Sequence, residues 1–257
     1  MNQLKNKIVF ITGASSGIGK ACAEEFAKEG ASLILSARRI NQLSEFSESL
    51  KKKYNVKVLS LKLDVRNLDE VKKTVSSLPE EWKKIDILLN NAGLARGLDK
   101  LYEGKTSDWE EMIDTNVKGL LFVTRQILPL MVDRMEGHII NIGSTAGHEV
   151  YPSGNVYCAT KFAVKALTQG IRIDTVDKNI RVTTVDPGMV LTEFSNVRFS
   201  GDTNRAAKVY EGIKPLSAED IADAVLFCAT RPPHVNISEV ILTPTQQASV
   251  AYVHRKK

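Results

Sequence analysis

Several features that would define a class of protein are scarce in this sequence of 257 residues. It has four histidines and three widely spaced cysteines, Cys22, Cys158 and Cys228, without a CxxC pair. This spacing argues against a disulfide framework and gives no pattern of metal ligands, so no metal is expected. The same cysteine usage predicts a reduced, cytoplasmic protein.

Long apolar runs and concentrated charge are also missing. No stretch approaches the roughly 18 apolar residues that a membrane span requires. The amino-terminal segment reaches Gly13 after four consecutive apolar residues, too soon for the core of a signal peptide. Basic residues exceed acidic ones by 35 to 30, but they form short runs only at 51–53 and 255–257. We therefore expect neither a membrane nor a nucleic acid as a partner.

The sequence does contain a regular alternation of short β-branched runs and longer segments of helical period. Several runs are apolar nearly throughout, which is typical of strands buried on both faces. The alternation predicts an α/β protein with a doubly wound, parallel, seven-stranded sheet and helices on both faces. The predicted strands are 7–12, 31–37, 56–65, 85–90, 138–144, 180–186 and 239–243, and the predicted helices are 17–29, 41–53, 68–83, 106–135, 154–178 and 217–230.

This alternation extends along the whole sequence, and no linker or repeat interrupts it. Residues 1–257 are therefore predicted to form a single domain that holds both cofactor and substrate. The longest irregular stretch follows the sixth predicted strand, and residues 189–215 are its candidate substrate lid. Residues 244–257 form a polar C-terminal tail, which we hypothesise to cross to a neighbouring subunit.

A glycine-rich turn lies between the first predicted strand and the first helix. Glycines allow a tight turn and a close approach to a pyrophosphate, and the helix N-terminus offers N–H donors. In this position the turn favours dinucleotide binding over an ordinary loop. Its candidate cofactor residues are Gly13, Ser15, Ser16, Gly17, Ile18 and Gly19.

The end of the second predicted strand indicates which dinucleotide is bound. An acidic residue there would hydrogen-bond the ribose of NAD, but this sequence has Arg38 and Arg39. Guanidinium groups can bind a 2′-phosphate, so we predict NADP, although both arginines are also compatible with a solvated helix start. Asp64 and Val65 follow the third strand, where Asp64 is either an acceptor for the adenine amino group or a helix N-cap.

Together these motifs resemble the short-chain dehydrogenase/reductase family, which has a Rossmann fold. The resemblance covers nearly the whole chain and rests on six motifs in the family's order, namely 12–19, 90–93, Asn116, Ser144, Tyr157-x-x-x-Lys161 and 187–188. It implies that Asn116, Ser144, Tyr157 and Lys161 are catalytic. It also implies cofactor contacts by Tyr157, Lys161, Asn91, Ala92, Gly93, Pro187, Gly188, Val190 and Thr192, a water held by Asn116 that links Lys161 to solvent, and a homotetramer.

The chemistry of the Tyr/Lys pair is consistent with that role. Tyr157 and Lys161 lie four residues apart, so on a helix they share a face. A neighbouring ammonium, together with the positive nicotinamide of the oxidised cofactor, is expected to lower the pKa of the phenol toward the working range of a proton shuttle. Tyr157 would then exchange a proton with the substrate oxygen while Ser144 hydrogen-bonds that oxygen.

The lid and the segments around Ser144 resemble one branch of the family, the NADP-dependent 3-hydroxy acid dehydrogenases. This implies a small 3-hydroxy acid as substrate, such as serine, L-allo-threonine or 3-hydroxypropionate. Its carboxylate needs a positive group, for which Arg198 is favoured over Arg205; a surface ion pair is the alternative for either arginine. Two alternative functions are a broad-specificity NADPH-dependent carbonyl reductase and a non-catalytic nucleotide-binding protein.

Overall fold

The computed structural model describes residues 3–256, so Lys257 of the predicted tail lies outside the described residues. Seven parallel strands form one sheet in the order β3-β2-β1-β4-β5-β6-β7. The strands are β1 (Ile8–Thr12), β2 (Ser32–Ala37), β3 (Val58–Lys62), β4 (Ile87–Asn90), β5 (Gly137–Ile142), β6 (Ile180–Pro187) and β7 (Glu239–Leu242). The helices are α1 (Gly17–Lys28), α2 (Ile40–Tyr54), α3 (Leu68–Ser76), α4 (Thr106–Ile113), α5 (Leu120–Val132), α6 (Asn155–Asp174), α7 (Phe194–Arg198), α8 (Thr203–Lys208) and α9 (Ala218–Ala229).

Each face of the sheet has its own hydrophobic core, as the alternation of side chains along a strand requires. On one face Ile11 and Leu35 pack with helices α1, α2 and α9. On the other face Phe10 and Ile34 pack with α3 and α5. The predicted doubly wound sheet with helices on both sides is thus confirmed.

Two helices differ from the bounds predicted from the spacing of apolar residues: one is shorter, and the other is interrupted. The segment predicted as helix 68–83 ends at Ser76, and Pro79 precedes a separate 3-10 turn at Glu80–Trp82. The segment predicted as helix 106–135 is divided by a π-turn at Asp114–Gly119. An extra residue in a turn changes where side chains point, and this turn carries Asn116.

From β1 the chain adds β2 and β3 on one side of the sheet and then continues with β4 on the other side. The strand order therefore switches direction between β1 and β4. In parallel α/β sheets a crevice forms at such a switch point, beyond the carboxyl ends of the strands. Buried amides fix this end of the sheet, because Asn90 at the end of β4 donates to Asn141 of β5 at 2.9 Å, and Asn141 donates to Thr168 of α6 at 2.9 Å. The candidate motifs therefore converge at one rigid edge.

The predicted lid contains the short helices α7 and α8, and the C-terminal tail packs against it. Gln247 of the tail accepts a hydrogen bond from the backbone N–H of Met189 at 2.9 Å, and the backbone N–H of Lys256 donates to the carbonyl of Gly212 at 2.8 Å. Up to residue 256 the tail thus contacts the lid of its own chain, while a crossing to a second subunit stays a hypothesis. Within residues 3–256, no helix has both the length and the apolar character needed to cross a bilayer.

Candidate active site

A cavity of about 790 Å³ lies along the carboxyl edge of the sheet. It begins at the glycine-rich turn and ends at the Tyr157/Lys161 pair. Most of the predicted cofactor residues line it, together with Ser144. They are Gly13, Ser15, Ser16, Gly17, Ile18, Arg38, Arg39, Asp64, Val65, Asn91, Ala92, Gly93, Tyr157, Lys161, Pro187, Gly188, Val190 and Thr192.

The glycine-rich turn depends on backbone conformations that disfavour side chains. Gly13 and Gly17 have φ angles of +67° and +52°. Gly19 was predicted as a cofactor contact, but it is buried and does not line the cavity. A Cβ at Gly19 would overlap the carbonyl oxygen of Gly13 and the Asn91 amide. A glycine is therefore required at position 19 so that α1 can pack against the turn.

The two arginines after β2 differ in their surroundings. Arg39 donates to the Ser16 hydroxyl at 2.6 Å and to the Glu193 carboxylate of the lid at 3.0 Å. Arg38 has about half of its side chain exposed, and its nearest carboxylate oxygen, from Glu111, is 3.9 Å away. Arg38 is thus the more available guanidinium, whereas Arg39 links the turn to the lid.

The contacts of Asp64 do not match the N-cap role considered for it, while a role as acceptor for the adenine amino group stays a prediction. Its carboxylate accepts hydrogen bonds from the Arg66 side chain at 2.6 and 3.0 Å, and these hold the pKa of Asp64 below its usual value. The N-cap of α3 is Asn67, which accepts from the N–H groups of Asp69 and Glu70. Asp64 therefore positions Arg66 at the cavity wall, and the N-cap interpretation is wrong.

Lys161 is held inside the protein by the end of β5. Only 7% of the residue is exposed, and its ammonium donates to the carbonyl of Ile142 at 2.9 Å. Burial lowers the pKa of Lys161 to about 8, since removal from water disfavours the charged form. The lysine therefore titrates close to neutral pH.

The expected lowering of the Tyr157 pKa by Lys161 is not observed among the protein's own groups. Burial raises the pKa of Tyr157, and the charge of Arg198 and a hydrogen bond with Ser144 only partly oppose this effect. The Lys161 ammonium is 5.9 Å from the centre of the phenol ring and is bonded to Ile142 instead. Among the protein's own groups desolvation thus outweighs the opposing effects, and a lowering by the bound oxidised cofactor stays a prediction.

Ser144 and Asn116 lie close to this pair but in different environments. The Ser144 hydroxyl donates to the Pro187 carbonyl at 3.3 Å and faces the cavity. Asn116 is buried outside the cavity lining, where its amide exchanges hydrogen bonds with the backbone of Leu94 at 2.8 and 2.9 Å. Asn116 also donates to Thr160 at 3.0 Å. The structure thus gives Asn116 a positioning role, and its predicted water bridge stays a prediction.

The remaining predicted contacts are fixed by backbone and tail interactions. Asn91 donates to the carbonyls of Thr12 and Gly13 at 2.9 and 3.1 Å, which joins the end of β4 to the glycine-rich turn. Gly188 lies against Gln247, which a Cβ at position 188 would overlap. Thr192 accepts from the backbone N–H of Phe194 at 3.2 Å and so begins α7.

Arg198 points toward the catalytic pair. Its guanidinium carbon is 5.0 Å from the centre of the Tyr157 ring and 5.1 Å from that of Phe194, and it donates to the Tyr151 hydroxyl at 2.8 Å. It lines a second, small cavity of about 20 Å³, which shares Tyr157 with the large one. The alternative of a surface ion pair is wrong for Arg198, because its partners are these aromatic rings. Arg205 instead stacks on Phe199 at 4.5 Å and lines neither cavity.

Sequence reasoning missed several residues of the site. Arg66, Arg96, Glu193 and Phe194 also line the large cavity. Arg96 donates to Glu111 at 2.7 Å and to the Val197 carbonyl at 2.6 Å, which fastens α7 to the loop after β4. These contacts join segments that are far apart in the chain, so local spacing carried no signal for them.

Comparisons with known proteins agree with this geometry. The family model of the short chain dehydrogenases matches residues 7–202. The full chain is 46% identical to the full length of an NADP-dependent 3-hydroxy acid dehydrogenase from Schizosaccharomyces pombe. It is 44% identical to a sulfoacetaldehyde reductase from Chromohalobacter salexigens, over 95% of this chain and 96% of that protein.

Among solved structures, the closed form of serine dehydrogenase complexed with NADP⁺ superposes with a TM-score of 0.91. The identity is 45%, over 97% of this chain and all of that chain. The glycine-rich turn, the sheet and the Tyr/Lys pair therefore occur in a fold shared along the whole chain. The protein belongs to the short-chain dehydrogenase/reductase family.

Proposed function

We propose that this protein is an NADP-dependent oxidoreductase that transfers a hydride between the cofactor and a small 3-hydroxy acid of the serine, L-allo-threonine or 3-hydroxypropionate type. The observation that carries the proposal is the cavity that connects the glycine-rich turn with Tyr157, Lys161 and Ser144. The names of its relatives support both the cofactor and the class of substrate.

The lining residues fit a dinucleotide phosphate. The turn at Gly13–Gly17 and the first residues of α1 would hold the pyrophosphate, since Ser16 makes no side-chain cap to the first turn of that helix. Arg38 would bind the 2′-phosphate, because its guanidinium is only weakly paired. When bound, NADP supplies or accepts the hydride.

Side chains of the protein transfer the proton and stabilise the charge that develops on the substrate oxygen. Tyr157 gives a proton to the carbonyl oxygen during reduction and takes it back from the hydroxyl during oxidation. Ser144 hydrogen-bonds the same oxygen and stabilises its developing charge. Lys161 contributes an ammonium fixed on the Ile142 carbonyl, which would contact the cofactor, and the positive nicotinamide of the oxidised cofactor would favour the phenolate form of Tyr157 against the effect of burial.

Arg198 is the group that selects an acidic substrate. Its guanidinium lies over Tyr157, and its Nε is buried without a hydrogen-bond partner. Among residues 3–256 no carboxylate forms a salt bridge with it, so a positive charge remains available beside the reacting oxygen. Malonic semialdehyde and sulfoacetaldehyde both have an anionic group one methylene from the aldehyde, which suits such a site. This favours the acid dehydrogenase over a general carbonyl reductase.

We also propose that the protein forms a homotetramer. Apolar side chains remain exposed on α5 and α6, including Leu121 and Phe162, and the family resemblance implies that these two helices form one of the subunit contacts. Phe227 of α9 and Ile241 of the edge strand β7 are exposed as well. Exposed apolar faces of this kind are typical of contacts between subunits. The cytoplasmic location stays a prediction.

Replacing Tyr157 by Phe tests the proton donor. The variant keeps the ring but loses the hydroxyl, so NADPH-dependent reduction of malonic semialdehyde should fall by about 10²–10⁴-fold. Binding of NADPH, measured by fluorescence titration, should change little because the ring remains. Tyr54→Phe removes a hydroxyl from a ring of α2 that lines neither cavity and serves as the control. Unchanged turnover in Tyr157→Phe would remove Tyr157 from the proposed mechanism.

Replacing Arg38 by Ala tests the choice of cofactor. Loss of a charge-assisted contact worth about 1.5–3 kcal/mol should weaken NADPH binding by about 10–100-fold and leave NADH binding nearly unchanged. Arg39→Ala provides the contrast, because Arg39 holds Ser16 and Glu193 and its loss should weaken both cofactors. Equal losses for the two cofactors in Arg38→Ala would contradict the 2′-phosphate role.

Replacing Arg198 by Ala tests the substrate class. The Michaelis constant for 3-hydroxypropionate should rise by about 10–100-fold, while that for an uncharged aldehyde such as propanal should not rise. Arg205→Ala removes the same charge from the lid at a position outside both cavities and should have no such effect. If acid and uncharged substrates lose equally, Arg198 supports the lid and does not recognise the carboxylate.

A further inference from the structure

One carboxylate, that of Glu111 on α4, lies behind the wall of the large cavity and contacts three arginines of that wall. It accepts hydrogen bonds from Arg96 Nε at 2.7 Å and from Arg66 Nη1 at 3.3 Å, and Arg38 Nη1 lies 3.9 Å away. All three arginines line the cavity, whereas Glu111 does not. The function proposed above uses Arg38 but gives Glu111 no role.

On one side, the contacts of Glu111 lead to the candidate substrate lid. The Arg96 guanidinium that donates to Glu111 also donates, through Nη1, to the backbone carbonyl of Val197 in α7 at 2.6 Å. The next residue of that loop, Gly97, donates its backbone N–H to the carbonyl of Arg198 at 3.0 Å. Glu111 therefore orients the arginine that holds the end of α7, where Arg198 is located.

On the other side, the contacts of Glu111 lead to the proposed site of the 2′-phosphate. Arg66 and Arg38 both approach the same carboxylate oxygen, Oε1, so their guanidinium groups are neighbours. Arg66 is also paired with the Asp64 carboxylate at 2.6 Å. A negative charge beside these guanidinium groups attracts them, and it repels a phosphate that binds to them.

We infer that Glu111 is a positioning residue shared by both ends of the site, which holds the lid through Arg96 and weakens the attraction between Arg38 and a 2′-phosphate. Its side chain is only 22% exposed, and the hydrogen bond from Arg96 holds the pKa of Glu111 below its usual value, so the group is charged at neutral pH. This role depends on the function proposed above, in which Arg38 binds the phosphate and Arg198 binds the acid substrate.

Glu111→Gln separates the two effects, because it keeps the shape of the side chain and removes its charge. An amide oxygen binds a guanidinium less strongly than a carboxylate does, so the lid should be held less firmly. The Michaelis constant for malonic semialdehyde should rise by about three- to tenfold, while that for propanal should change by less than about twofold. NADPH should bind about two- to fivefold more tightly and NADH as before, because the repulsion of the 2′-phosphate is removed.

The experiment measures both Michaelis constants with NADPH, and both cofactor dissociation constants by fluorescence titration without substrate. Glu110→Gln is the matched control, since it removes the same charge from the exposed neighbouring position of α4 and should change none of these constants. Opposite signs for cofactor and acid substrate distinguish this role from a merely structural one, which would weaken both. The absence of either effect, weaker binding of both, or an equal response in Glu110→Gln would overturn the inference.

Arg96→Met tests the contact with the lid by itself and covers the case in which Glu111→Gln does not fold. This variant releases the Val197 carbonyl, so the Michaelis constant for malonic semialdehyde should rise at least as much as in Glu111→Gln. No rise would contradict the role of Glu111. The double variant should show no further rise, because Glu111 acts on the lid through Arg96, and additive effects would contradict this path.

The unaltered protein distinguishes a failure of the proposed function from a failure of this inference. If it does not prefer malonic semialdehyde to propanal, the proposed substrate class is wrong, and the role of Glu111 in acid recognition is wrong with it. If it does show the preference, and Glu111→Gln and Arg96→Met leave that preference unchanged, only the inference about Glu111 is refuted.

Discussion

The active site depends on one hydrogen bond, from the buried ammonium of Lys161 to the last carbonyl of β5, on Ile142. A desolvated ammonium is costly, and this bond offsets part of that cost with a backbone group that the sheet holds rigidly. It also sets the distance between α6 and β5, and therefore the position of Tyr157 relative to Ser144. The cofactor supplies the hydride chemistry, and the protein holds Lys161, Tyr157 and Ser144 in position.

Much of the fold could be predicted from the sequence, because buried parallel strands leave a strong signal. The strands around Ile11, Leu35 and Leu89 are apolar on both faces, and all seven predicted strands are present. Helix boundaries were predicted less well. The segment 106–135 has a continuous apolar period, yet the chain inserts a π-turn at Asn116, where amide contacts with Leu94 and Thr160 compensate for the irregularity. Such a compensation comes from tertiary contacts and is not encoded locally.

The candidate site was predictable in its composition but not in its electrostatics. Motif order was sufficient to identify Ser144, Tyr157 and Lys161 as a group. The effect of burial, which raises the pKa of Tyr157, had no signal in the sequence, because it depends on how deeply the ring is buried. The contacts of Arg66 with Glu111 and of Arg96 with the carbonyl of Val197 depend on side-chain geometry across distant segments. Charges near an active site can therefore be listed from a sequence, but their partners cannot.

The attachment of the tail to the lid has a practical consequence. Gln247 supports the backbone at Met189, and Arg255 donates to the carbonyls of Val209 and Glu211, so the last residues of the chain brace the wall of the site. An affinity tag or fusion partner joined to the tail would therefore pull on the candidate lid.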